Sequence, residues 1–96
     1  MSDVLGTQQV SDYFFAVTLC YLGFELHSID CRGRFPLFTI VCPAEECEEL
    51  RLDYIADRLV LSSAQAFGRI HSRIGRLVRD ARKNGVYVNQ EGAFSV

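Results

Sequence analysis

Residues 24 to 42 read FELHSIDCRGRFPLFTIVC, two extended runs on either side of Arg32-Gly33-Arg34. Whether these runs pair decides what the rest of the chain must cover. Apolar and polar side chains alternate along each run, and the short glycine-bearing break between them predicts an antiparallel hairpin. The two faces then argue the register. Pairing Phe24 with Cys42, Leu26 with Ile40 and Ser28 with Phe38 collects the large apolar groups on one side and leaves Glu25, His27 and Thr39 on the other. That register requires a loop of three or five residues, since a two-residue Arg-Gly turn mixes the faces. Pro36, with no N–H to donate, marks an edge or bulge beside the turn. A two-stranded sheet is marginal alone, so helices or further strands must cover it.

Before the hairpin, Thr7 is read as the N-cap of a helix ending near Leu22. Val10, Phe14, Val17 and Tyr21 recur there at helical spacing, and Gly23 suits a left-handed C-terminal cap. Phe15, Leu19 and Leu22 add a second apolar row, so this helix is expected to be covered on more than one side. After the hairpin, Pro43 opens AEECEELRLDYIADR, with Cys47, Leu50, Tyr54 and Ile55 facing inward. Its glutamates, Glu45, Glu46, Glu48 and Glu49, complement the positive end of the helix dipole. Leu59, Val60 and Leu61 form an apolar connector. Ser62 is expected to cap a long helix with Gln65 in the capping-box position, and Asn84-Gly85 to end it. The remainder, VYVNQEGAFSV, reads as two short strands whose Tyr87, Val88, Phe94 and Val96 are apolar enough to pair.

The predicted fold is therefore a single α+β domain over residues 1–96, with a core at about 4–84 and residues 85–96 as a C-terminal extension. Its antiparallel hairpin, widened by Val4-Leu5 or by the tail, packs against the N-terminal helix and the long C-terminal helix. A hydrophobic fraction of 49% with 23% charged residues excludes disordered and fibrous classes. The longest apolar stretch, Tyr13 to Leu22, is well short of the roughly 20 residues of a membrane span, and no membrane partner is expected. Met1-Ser-Asp-Val carries no export pattern, so a cytoplasmic location is expected. Cys20, Cys31, Cys42 and Cys47 include no CxxC pair and are read as reduced thiols, Cys20 and Cys42 packing as small apolar groups. Neither a metal nor another cofactor is expected.

Charge divides along the chain. Residues 1–60 hold four arginines against ten acids, whereas residues 61–96 hold six cations against two acids. All six of those cations lie in GRIHSRIGRLVRDARK, residues 68 to 83. At 100° per residue, Phe67, Ile70, Ile74, Leu77 and Ala81 gather on a core arc. Arg69, Arg73, Arg76 and Lys83 form a second arc with Arg79 at its edge, and Ala64, Gly68, Ser72 and Gly75 lie on the remaining flank. Glycine inside a helix costs about 1 kcal/mol against alanine, so two in one stripe ask for a close approach. The cations have three readings: a solvated face, a match to Glu45–Glu49 within the molecule or across a homo-oligomer, or a track for phosphates.

Arginine outnumbers lysine nine to one, which favours forked contacts to carboxylate or phosphate. Asp80 within the basic arc and the formal charge of -2 speak against nucleic acid. Catalysis finds little support. His27 has Glu25 beside it on the polar strand face and His71 follows the basic arc, but no Ser-His-acid order, phosphate loop or metal pair is present.

Thr7 and its apolar helix, LGFEL at 22 to 26, SID at 28 to 30, the short basic turn, and LFTIV at 37 to 41 before an acidic helix resemble a small domain of unknown function found in bacteria and their phages. The resemblance spans residues 4 to about 83 and implies a helix, a hairpin and one or two further helices with a basic end, together with an origin in a phage or mobile element. Phe38-Thr39-Ile40 stands where that family carries paired aromatics. Having no established activity, the family implies no catalytic residue.

The expected function is a non-enzymatic protein-interaction module that self-associates as a homo-oligomer or docks on a larger assembly, through Gly68, Ser72 and Gly75 together with Phe15 and Phe94. The alternatives are an accessory subunit that follows a nucleic-acid backbone with Arg69, Arg73, Arg76, Arg79 and Lys83, and a phage-type inhibitor that presents Glu45, Glu46, Glu48 and Glu49 to a basic site. No small-molecule substrate is expected.

Overall fold

Leu26 stands opposite Ile40, as the faces require, but the ladder then shifts. In the computed structural model, which describes residues 6–89, Ser28 pairs with Thr39, Ile29 with Phe38 and Asp30 with Leu37. The expected Ser28–Phe38 pair is replaced because a bulge between Leu26 and Ser28 takes up one residue, His27. Strict alternation from Leu26 would turn Ser28 inward and Ile29 outward. With the bulge, Leu26 and Ile29 are both fully buried, facing Ile40 and Phe38.

The hairpin strands are β2 (Glu25–Asp30) and β3 (Leu37–Val41), and they form the centre of a four-stranded antiparallel sheet. β1 (Thr7–Val10) pairs with β3, and β4 (Val86–Val88) pairs with β2. The sheet is thus widened on both sides, giving the order β1-β3-β2-β4. Thr7 is a strand residue and not a helix cap. Val10, counted above in a helical stripe, lies opposite Phe38 on β1 and is buried. The cap is Asp12, whose Oδ1 accepts from the Phe15 N–H at 3.2 Å and opens α1 (Tyr13–Tyr21). Val4, Leu5, Phe94 and Val96 lie outside the described residues.

Six consecutive residues of α1, Phe15 to Cys20, are buried, so the helix is covered all round. The sheet and α3 (Ala64–Asn84) pack against it, and α2 (Ala44–Ile55) closes over Phe15. There the Tyr54 ring lies 5.1 Å from the Phe15 ring, and the Arg51 guanidinium stands 5.1 Å over it. α2 buries Cys47 and half-buries Leu50 and Tyr54, but Ile55, expected inside, is 71% exposed because the inward arc ends at Tyr54. The helix ends in a Schellman motif: Asp57 N–H donates to Tyr54 O at 3.1 Å and Arg58 N–H to Asp53 O at 2.8 Å.

α3 is capped by Ser63 and not Ser62. Ser63 Oγ accepts from the Ala66 N–H at 3.1 Å, while Ser62 Oγ shares a hydrogen bond of 2.9 Å with the Tyr21 hydroxyl. Ile70, Ile74, Val78 and Ala81 form its buried stripe. Gly85, at φ 95°, turns the chain directly into β4, so residues read as an extension supply an edge strand. Asn89 fastens the end of that strand: its N–H donates to His27 O and its side-chain amide to Leu26 O, both at 2.8 Å. Among the described residues no helix is long and apolar enough to cross a membrane.

Candidate functional site

α3 buries one stripe and exposes the rest, which places Arg69, Arg73 and Arg76 outward at four- and three-residue spacing. They line a broad shelf of about 1050 Å³ together with Gln65, Gly68, Ser72 and Asp80, and Leu77 lies at its foot. Among the described residues the shelf is walled by α3 alone.

The basic arc therefore divides. Arg69, Arg73 and Arg76 belong to the shelf, whereas Arg79 and Lys83 are exposed but do not line it. Arg79 is near Tyr13. Burial raises the Tyr13 hydroxyl above its ordinary pKa, and the Arg79 charge partly offsets this.

The small-residue flank divides as well. A Cβ on Gly75 would stand 3.2 Å from the Tyr13 hydroxyl, so this glycine makes room for internal packing. Among the described residues Gly68 has nothing within 4 Å of that position, and with Ser72 it borders the shelf. Phe15 cannot serve an interface, because Tyr54 and Arg51 seal it inside. The exposed ring of α1 is its neighbour Phe14, at 54%, stacked 5.3 Å from His71. Phe94 lies outside the described residues.

Ion pairing among the described residues is local: Asp30 with Arg32, Glu48 with Arg51 and Asp53 with Arg58. None of these links Glu45, Glu46, Glu48 or Glu49 to the cations of α3. All four glutamates are exposed. The charge match between these two segments is thus not made within the molecule among the described residues.

The titratable groups are arranged for packing. His71 is ringed by Tyr13 at 4.9 Å, Phe14 at 5.3 Å and Phe67 at 6.5 Å, and His27 sits exposed on the bulge. Burial pushes the Cys20 thiol up to about 12, and burial together with the neighbouring Cys47 and Glu46 brings Cys42 to about 12 as well. Neither thiol is poised as a nucleophile. The four cysteines are free, and among the described residues no three His, Cys, Asp or Glu side chains gather to hold a metal.

Sequence reasoning missed a second concavity, of about 290 Å³, where the start of α3, α1 and the end of α2 converge. Phe14, Tyr54, Leu59, Leu61 and Phe67 wall it, with Thr18 and Asp57 supplying polar atoms. No local signal marks it, since its walls come from four separate segments. Compared with protein families, curated proteins and solved structures, the chain matches none of them.

Proposed function

We propose that the chain is a non-enzymatic protein-interaction module that receives an acidic surface of a different protein, on a larger assembly, against the outward face of α3. The observation that carries this reading is the shelf, where the exposed Arg69 and Arg76 stand two helical turns apart beside Gly68 and Ser72. Guanidinium forks at that spacing match carboxylates on an approaching helix, and the small residues let its backbone come close. Exposed charge pairs are each worth only about 0–1 kcal/mol, and one helix face offers a small interface, so the contact is transient and salt-sensitive. Reduced cysteines suit a cytoplasmic setting for it.

A phosphate backbone is the second reading, favoured by the same arginine row. Asp80 lines the shelf among those arginines and repels carboxylate and phosphate alike, so binding of the two probes decides between the readings. Titration calorimetry with two probes separates them: a helical peptide bearing glutamates at every fourth position, and a DNA duplex of about 20 base pairs, each at roughly 50 and 200 mM salt. The peptide binds, and the combined Arg69→Glu, Arg73→Glu and Arg76→Glu change weakens it about tenfold or more. Duplex binding with a steep salt dependence and no heat from the peptide would overturn the reading.

A further inference from the structure

The hairpin tip and the aromatic cleft have complementary chemistry and lie at opposite ends of α3. Phe35 in the β2–β3 loop is 67% exposed, and the Arg34 guanidinium stands 6.0 Å over its ring. Arg32, the other cation of the loop, is held by Asp30 at 3.0 Å. Arg34 therefore carries the uncommitted charge beside an uncovered ring. The loop lies against the end of α3: Cys31 Sγ is 4.0 Å from Val78 O, and Arg32 Cγ is 3.4 Å from the Cβ position of Gly85.

The cleft occupies the other end, around Phe67, with Phe14, Tyr54, Leu59 and Leu61 as apolar walls and the exposed Asp57 among its lining residues. Phe67 and Gly85 are separated by about 27 Å at 1.5 Å per helical residue. One molecule cannot fill its own cleft with its own tip; a second copy can. At about 290 Å³ the cleft lies at the lower end of the roughly 300–1,000 Å³ of ligand sites, room enough for one aromatic side chain. An aromatic anchor in an apolar pocket with an oppositely charged pair at its edge is the usual core of a protein contact.

We propose that the Phe35 ring of one copy inserts between Phe14 and Phe67 of the next, with Arg34 meeting Asp57. The contact uses two different surfaces, so it either propagates head-to-tail or is made twice, about a twofold axis, in a dimer. It is separate from the α3 shelf, and either surface can fail without the other.

Sedimentation velocity on the full chain, up to about 1 mM because a single anchor binds weakly, tests this. The mass rises with concentration to twice 10.9 kDa or more. Phe35→Ala and Phe14→Glu, both at exposed positions, each remain at 10.9 kDa, and their mixture forms a species that stops at twice that mass. Asp57→Asn, which keeps the backbone conformation and removes the charge, weakens association roughly three- to fivefold. Reversing Arg69, Arg73 and Arg76 leaves it unchanged. Wild-type protein that stays at 10.9 kDa throughout would overturn the proposal, as would Phe35→Ala protein that associates like wild type or loss of association on reversal of the α3 arginines.

Discussion

The hydroxyl of Tyr13 on α1 lies 3.2 Å from where a Cβ would stand on Gly75 of α3, held there by its 2.7 Å hydrogen bond to His71 O. This contact explains one of the two glycines on that flank. Gly68→Ala, with open space around it, should stabilise the fold by about 0.5–1 kcal/mol through helix propensity. Gly75→Ala should gain less or destabilise, and Tyr13→Phe should recover the difference by removing the crowded oxygen. Urea denaturation of the three proteins checks this; equal gains from both alanines would mean that Tyr13 does not constrain the packing.

Asp57 occupies the left-handed position of the Schellman motif at φ 62°, where glycine is usual, and the Arg58–Asp53 ion pair at 2.9 Å closes the same turn. Asp57→Gly should therefore stabilise by about 0.5–1 kcal/mol, while Asp57→Val should cost more than about 1 kcal/mol. Thermal melts rank the three proteins. A glycine variant no more stable than the native chain would contradict the account of this turn.

Asp30 accepts from Arg32 Nε and Nη2 and from the Arg32 N–H, each at 3.0 Å, and these side-chain and then backbone hydrogen bonds hold its carboxyl at about 2, below the ordinary 3.8. Because the folded value is depressed, the stabilisation is complete above the ordinary value and is lost as pH falls through about 2. Arg32→Gln should raise the Asp30 midpoint toward 3.8, read from carboxyl carbon shifts in an NMR titration. An unmoved midpoint would show that Arg32 is not the cause.

The thiols of Cys20 and Cys42 should resist alkylation by iodoacetamide at about pH 8 until the protein unfolds, because they are buried and protonated. Cys31 is half-buried and should react first. Mass spectrometry of the labelled peptides decides, and Cys20 or Cys42 labelling as fast as Cys31 would contradict the packing.

Legibility in the sequence follows how local each signal is. Ile70, Ile74 and Ala81 disclose α3 because a helix repeats its contacts along one face, and the Leu26–Ile40 pair is legible for the same reason in a strand. The bulge at His27 carries no glycine to announce it and shows only in the need to bury both Leu26 and Ile29. Val10 fits a helical stripe and a strand face equally well, which is why β1 was hidden in the reading of α1. Between Phe14 and Phe15, both apolar and adjacent, only the arrival of Tyr54 and Arg51 from α2 determines which one is sealed. Gly68 and Gly75 share a stripe but part company through Tyr13, a residue more than fifty positions away.

The central claim, that the outward face of α3 is a receptor for carboxylates, is tested most directly by mapping amide NMR shifts as the glutamate-bearing helical peptide is added. The account predicts shifts confined to Gly68, Arg69, Ser72, Arg73 and Arg76, absent with a lysine-bearing peptide and abolished by reversing the three arginines. Shifts spread over α2 or the sheet instead, or equal shifts with both peptides, would contradict it.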